Sequence, residues 1–473
     1  MKNIKKNIAY NLAYQVLAII LPFITAPYLS RVIGANGVGI YSFSHSVALY
    51  FTYITLLGLT NYGNRAIAAV QNDYEERSRL FCEIYCMQVI CFVVSICAYL
   101  IYTFFFSTDK TAAIIMTFTV ISSVFDINWF FFGMEKFKLT VIRNSVIKVL
   151  TVACIFLFVH RKDDIYVYVA IMSVGFLASQ LCLWPFLKNM VKLQRPRLAD
   201  VAKHFKPNLV LFVPVIAVSI YKIMDKVFLG YMSTMEQVGY YENAERIITI
   251  AVTMITAVGT VMLPRMSSLI ADNKMDESKQ YLDKTMLVVL AYTNAVMFGI
   301  FAVAKEFSVV YYGEDFLTTG VIMCYLAVTV VFLGCGNVVR TQYLIPHKED
   351  SIYLISAILG AVVNLVINIL LIPRLDAVGA AIGTICAEIV VWLYQILSVR
   401  HELRLRKYLK WQIIFTLTGL VMFLVIRFMP THNNAIIALG LHILVGAAVY
   451  ILLAGLYIIK VEKFAIVHVK KKK

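Results

Sequence analysis

Residues Arg31 to Tyr41 read RVIGANGVGIY, with three glycines within six residues. In a nucleotide-binding protein such a run follows a strand and opens a helix, because backbone N–H groups at that junction hold the phosphate. Here it is flanked by two apolar runs, 8–30 and 38–62. Runs of about 20 apolar residues cross a bilayer as helices. The glycines therefore read as a hairpin between two membrane spans. Gly34 and Gly37 suit a tight turn, and Gly39 suits close helix packing.

The rest of the chain has the same character. Of 473 residues, 61% are hydrophobic and 15% charged, far more apolar than a soluble domain. Apolar runs of membrane-spanning length recur to the far end and predict an all-α integral membrane protein of about fourteen transmembrane helices. The longest polar gap, KNMVKLQRPRLADVAKHFKP at 188–207, is too short for a folded soluble domain. The basic start (Lys2, Lys5, Lys6) imitates a signal peptide, but the apolar run outlasts an h-region and no A-x-A site follows. It reads as an uncleaved first helix.

The net charge of +16 follows topology. With the N-terminus in the cytoplasm, 32 Lys and Arg fall in inside segments and 7 in outside loops, a strong positive-inside bias. An even number of spans then places both termini in the cytoplasm, and the closing KKK faces anionic headgroups rather than nucleic acid. The nine cysteines lie in or at the ends of spans. Cys82, Cys86, Cys91 and Cys97 have no histidine nearby and no zinc spacing, so neither a metal nor a cofactor is expected.

The opening stretch returns. VGIY at 38–41 is matched by VGYY at 238–241, an offset of 200 that also carries Arg65 onto Arg265. Two parallel six-helix lobes related by an axis along the membrane normal would produce that repeat. The lobes are placed at 1–200 and 201–405 and expected to enclose a central cavity. Two further helices and a basic cytoplasmic tail occupy 406–473.

Polar faces indicate what lines such a cavity. Glu242, Arg246, Thr249, Thr253, Thr256 and Thr260 recur every three or four residues in span eight, along one helix face. Span two carries Ser42, Ser46, Tyr53 and Thr60; span one carries Asn7, Asn11, Tyr14 and Gln15. Interhelical hydrogen bonding, worth about 0.6 kcal/mol each, accounts for isolated Ser and Thr. It accounts poorly for a full-length stripe with Glu and Arg. Lys222, Asp225 and Lys226 in span seven, Lys148 in span five, Asp126 in span four and Glu388 in span twelve are charges placed inside membrane helices. Each costs about 2.5–3.5 kcal/mol at a helix centre and so normally faces protein or water. Lys226 is close enough to the outer surface to snorkel. Lys222, Arg246 and Lys148 read as either a cationic cavity for an anionic, phosphate-bearing substrate or as members of internal ion pairs.

These residues, with the N-terminal run NLAYQVLAIILPFITAPYLSRVIGANGVGIYSFSHSV, DINWFFFGMEKFK (126–138), YKIMDKVFLG (221–230) and QYLIPHKED (342–350), resemble the Wzx-type flippases, the polysaccharide-transport branch of the MOP exporter superfamily. The resemblance covers the first twelve spans. It implies a MATE-like fold of two six-helix lobes around a cationic cavity, working by alternating access. The implied cargo is an undecaprenyl-pyrophosphate-linked oligosaccharide, moved from the cytoplasmic to the outer leaflet of a bacterial inner membrane for O-antigen, capsule or a related glycan. On that reading Lys222, Arg246 and Lys148 meet the pyrophosphate. Glu242 and Asn11 complete the cavity, and Tyr14, Gln15, Tyr53, Asn364 and Asn368 offer surfaces to the sugars. Asp126, Asp225 and Glu388 are candidates for ion coupling or pairing under an H+ or Na+ gradient. Implied partners are the lipid-linked oligosaccharide, membrane lipids, a polysaccharide polymerase and chain-length proteins.

Two rivals remain at this level. An ion-coupled multidrug exporter would share the fold but bind cations through acidic residues. A glycan polymerase or glycosyltransferase would need a sizeable outer loop or clustered carboxylates. The short acidic groups at 73–76, 163–164 and 314–315 read instead as solvated loop charge, so no catalytic residue is assigned.

Overall fold

In the computed structural model the backbone is described for residues 2–430 and 432–470. Side chains are described for these residues apart from 2–16, 18, 213–215, 217, 218, 220–222 and 461–470. The helices in chain order are α1 (Lys2–Leu56), α2 (Leu59–Ala69), α3 (Tyr74–Phe105), α4 (Lys110–Ser122), α5 (Asn128–Gly133), α6 (Phe137–Phe158) and α7 (Ile165–Leu181). They continue as α8 (Leu198–Met232), α9 (Met235–Ala271), α10 (Met275–Tyr312), α11 (Leu317–Val339), α12 (Asp350–Ser398), α13 (Leu405–Arg427) and α14 (Ala435–Lys470). No strand occurs among the described residues.

Ten helical stretches among the described residues are long and apolar enough to cross a membrane. Two of them hold two crossings each. The 55 residues of α1 would extend about 80 Å, against a hydrocarbon core of about 30 Å. The helix breaks at Gly34 (φ 69, ψ 179), a conformation that a Cβ would strain. The 49-residue α12 breaks at Asp376 (φ 49, ψ −131). With α8 and the α4–α5 pair, fourteen crossings result.

Span four differs from the continuous helix expected over 112–133. It stops at Ser122 and resumes as the short α5. A helix end inside a membrane leaves carbonyls that neither water nor lipid can satisfy. Gln88 of α3 supplies the missing donor, its Nε2 reaching the carbonyls of Ser123, Val124 and Asp126 at 2.7, 3.3 and 3.0 Å. The Trp129 indole N–H donates back to Gln88 Oε1 at 3.1 Å.

The chain divides into two compact units between Gly239 and Tyr240. In the first, one core gathers Phe81, Met87, Trp129, Phe130, Phe131 and Leu183. A second gathers Leu29, Ile33, Tyr41, Tyr99, Met116 and Tyr168. Helix α8 belongs here, packed on α1, α2 and α3. The repeat is visible as a reciprocal contact within this unit. A Cβ on Gly39 would lie 1.7 Å from the Met235 carbonyl oxygen, and one on Gly239 would lie 2.0 Å from that of Ala35. Residues 35 and 39 thus meet their own counterparts at 235 and 239, with each glycine letting the other strand of the contact through.

The second unit is organised around α10, which packs on α11, α13 and α14. Polar contacts hold α13 there. Asn294 Nδ2 donates to Gln412 Oε1 at 3.2 Å, and Gln412 Nε2 and Thr416 each donate to Asn294 Oδ1 at 3.1 Å. The Tyr450 hydroxyl of α14 donates to the Ala291 carbonyl at 2.7 Å. Inside lipid no hydrophobic effect draws helices together, so such contacts and close packing set the arrangement.

Candidate functional site

The charges that the sequence places in the membrane fall into separate groups. In the second unit Glu242 and Arg246, one turn apart on α9, form an ion pair at 3.2 Å. Tyr311 and Tyr312 of α10 lie within electrostatic reach of Arg246, and the buried Tyr312 donates its hydroxyl to the Asn243 carbonyl at 3.0 Å. Arg246 is therefore a paired cation. The threonine stripe continues along α9 on a face that the second unit leaves largely uncovered: Thr249, Thr256 and Thr260 are exposed. The hydroxyls of Thr253, Thr256 and Thr260 are turned back onto their own helix, bonding carbonyls four residues earlier.

The second unit also holds an apolar groove of about 740 Å³, with Ile247, Val296, Ile300, Met422, Ile443 and Ala447 among its walls. Ile247 follows Arg246 in α9. Phe307, also a wall residue, stacks on Tyr311 at 4.9 Å. The groove takes Ile247, Ile250 and Ala251 from α9, whereas Glu242 and Arg246 are not among its walls. The Tyr292 hydroxyl is spent on the Ala251 carbonyl at 3.0 Å. His442, buried in the same wall, meets Glu306 at 2.9 Å through Nδ1.

In the first unit Asp225 is buried, and it lies with Lys226 and Tyr53 within electrostatic reach of Tyr50. Spans two and seven are thereby brought together at the predicted residues. Asp126 accepts from the Asn128 backbone N–H at 3.0 Å and side-chain amide at 2.7 Å. Arg143 in turn donates to Asn128 Oδ1 at 2.8 Å and to Gln180 Oε1 at 3.0 Å. Asp126 is thus tied to the break in span four. Lys148 is half-buried on α6. In the second unit Asn364 and Asn368 are fully buried, with Asn368 Nδ2 donating to Asn364 Oδ1 at 3.1 Å. Both pack against Gly383, across the break in α12. Glu388 is buried in the same helix. Asn11, Tyr14, Gln15 and Lys222 lie outside the described side chains.

Two further clusters escaped the sequence reading. In the first unit the buried His204, near the start of α8, places Nε2 3.0 Å from Glu83 Oε2 of α3. Its Nδ1 lies 2.5 Å from the Tyr62 hydroxyl of α2. In the second unit the buried Asp283 of α10 accepts from Arg404 at 2.9 Å, Lys407 at 2.7 Å and the Tyr408 hydroxyl at 2.6 Å. The signal was available. Glu83 and Asp283, and His204 and Arg404, are each separated by the 200 residues that separate VGIY from VGYY.

A family model described as "Polysaccharide biosynthesis protein" matches residues 4–270. The chain is 21% identical over 411 residues to the Escherichia coli (strain K12) protein named "Putative O-antigen transporter", covering 85% of this chain and 97% of that one. Among solved structures it resembles "Lipid II flippase MurJ, inward closed conformation" with a TM-score of 0.77, 16% identity, and coverage of 96% and 99%. A multidrug resistance MATE family transporter of the MOP superfamily, in an inward-facing conformation, matches with a TM-score of 0.59, 14% identity, and coverage of 81% and 98%. The fold is that of the MOP transporters, and the chain is a multi-pass membrane protein.

Proposed function

We propose that this chain, which belongs to the polysaccharide biosynthesis protein family, is a flippase that carries a lipid-linked oligosaccharide across the membrane in which it sits. The finer reading is an undecaprenyl-pyrophosphate carrier, moved from the cytoplasmic to the outer leaflet of a bacterial inner membrane, with both termini cytoplasmic. The observation that carries it is the Glu242–Arg246 ion pair at 3.2 Å, set at one end of the polar face of α9. For an amphiphile with a long hydrocarbon chain and a phosphate head, the guanidinium would exchange its carboxylate partner for phosphate oxygens while the chain stays in apolar surroundings. Lys222 and Lys148 remain candidates for the phosphate path, and Tyr53 for sugar contacts.

Complementation of a flippase-deficient bacterial strain, read as surface polysaccharide, tests the reading. Wild-type protein restores the glycan. Arg246→Ala, inserted and abundant, lowers it at least about tenfold, the loss of one charge-assisted phosphate contact. Lipid-linked repeat units then accumulate on the cytoplasmic side. Full surface glycan in that variant removes Arg246 from the transport path.

A further inference from the structure

We infer that Glu83, His204 and Tyr62 form a proton-binding latch, in which a proton taken up at His204 fastens the start of α8 to α2 and α3 and its loss loosens them. The inference goes beyond the export reading and does not depend on the cargo.

Both ring nitrogens of a buried imidazole are engaged by titratable partners on two other helices. In the neutral ring, Nε2–H donates to Glu83 Oε2 while Nδ1 accepts from the Tyr62 hydroxyl. Uptake of a proton from solvent forms an N–H bond at Nδ1. The Tyr62 hydroxyl then turns to accept, and the Glu83 contact becomes charge-assisted on both sides. Arg79 of α3, largely exposed, lies 3.6 Å from Glu83 Oε1 and supplies the carboxylate with a permanent counter-charge. The neutral latch is thus a compensated Arg–Glu pair with an imidazole attached, and the loaded latch carries one extra positive charge. From α3, Cys82 also faces the carboxylate. From the start of α8, Asp200 and Lys203 pair with each other at 2.6 Å in solvent, with Arg197 beside Asp200.

The second unit supplies the comparison that separates a switch from a brace. At the equivalent positions, 200 residues on, a buried carboxylate again holds the first turn of a following helix, α13. There the partners are Arg404 and Lys407, which keep their charge across the working range. The first unit places an imidazole against its carboxylate where the second places a guanidinium, and in the second unit His347 lines the same pocket as Asp283 without bonding to it. The same junction is built twice, on permanent cations in one unit and on an imidazole in the other.

The test is hydrogen–deuterium exchange of the full-length protein in detergent micelles, corrected for intrinsic pH effects, between about pH 5.5 and 8.5. Backbone amides of residues 198–212 lose protection about fivefold or more as pH rises, while those of 403–412 stay level and report an intact fold. His204→Arg keeps 198–212 protected throughout. His204→Gln, which hydrogen-bonds but does not titrate, gives a level profile, and Glu83→Gln removes most of the low-pH gain. A level wild-type profile overturns the latch, as does a His204→Arg profile that still changes with pH. Either result leaves the export reading standing, since surface glycan in the complemented strain is scored separately.

Discussion

The two buried carboxylates, Glu83 in the first unit and Asp283 in the second, stand at matching places and are satisfied differently. Asp283 accepts from two permanent cations and a tyrosine hydroxyl. Glu83 meets a histidine and, at longer range, one arginine. A carboxylate buried against fixed charge is a brace, because nothing near neutral pH changes its partners. A carboxylate buried against imidazole makes the stability of its junction depend on the proton concentration. The two junctions differ at each partner of Asp283: His204 stands at the place of Arg404, Pro207 at that of Lys407 and Asn208 at that of Tyr408.

The largest expected effect breaks the brace. Asp283→Ala leaves Arg404 and Lys407 facing each other without a counter-charge. Both side chains are about half exposed, so part of the cost of breaking a buried pair escapes to water, leaving about 2–3 kcal/mol. Glu83→Ala should cost about half as much, because its close partner is one imidazole rather than two permanent cations. Thermal unfolding in detergent would rank the two, and equal losses would erase the distinction.

Next comes Gln88→Leu, which tests whether the first unit depends on one amide where α11 of the second runs unbroken. Three loop carbonyls lose their donor and the Trp129 N–H its acceptor, a loss of about 2 kcal/mol visible as a lower Tm.

Arg404→His should convert the brace into a latch at a cost of about 1 kcal/mol at neutral pH. An imidazole that gains Asp283 as partner binds its proton more tightly folded than unfolded. Its contribution is then complete below the unfolded imidazole's range and lost as pH rises through the folded one. Exchange at 403–412 would acquire the pH dependence expected for wild-type 198–212.

The smallest effect belongs to Glu402→Gln, at the exposed edge of the brace. The hydrogen bond from Lys279 at 2.9 Å holds the Glu402 carboxyl below its usual range. What stability it adds is present above the ordinary carboxylate range and lost as pH falls through the lowered value. At neutral pH the variant should unfold at a slightly lower Tm than wild type, and the difference should vanish in the acid limb, where the wild-type carboxyl is protonated too.

Much of this architecture is legible in the residues. Apolar runs give the crossings, and RVIGANGVGIY gives the first hairpin, with Gly34 at a positive φ. Two glycines 200 apart mark a repeat whose members touch. The break in span four is not legible, because the apolar run 112–133 continues through it and its cause, Gln88, lies on another helix. The pairing of Arg246 with Glu242 was open at one-turn spacing and needed side-chain geometry to decide. Asn364 and Asn368 share one helix face in any reading, but only the folded α12 sets them against Gly383.

The sequence by itself determined the solvent, the number of crossings and the repeat, because transfer of apolar residues into lipid and the spacing of like residues are properties of the chain. Tertiary structure decided which charges find partners. Those energies depend on distances of about 3 Å between atoms far apart in sequence. Glu83 and His204 are 121 residues apart along the chain, and only the packing of α8 on α3 makes them one group.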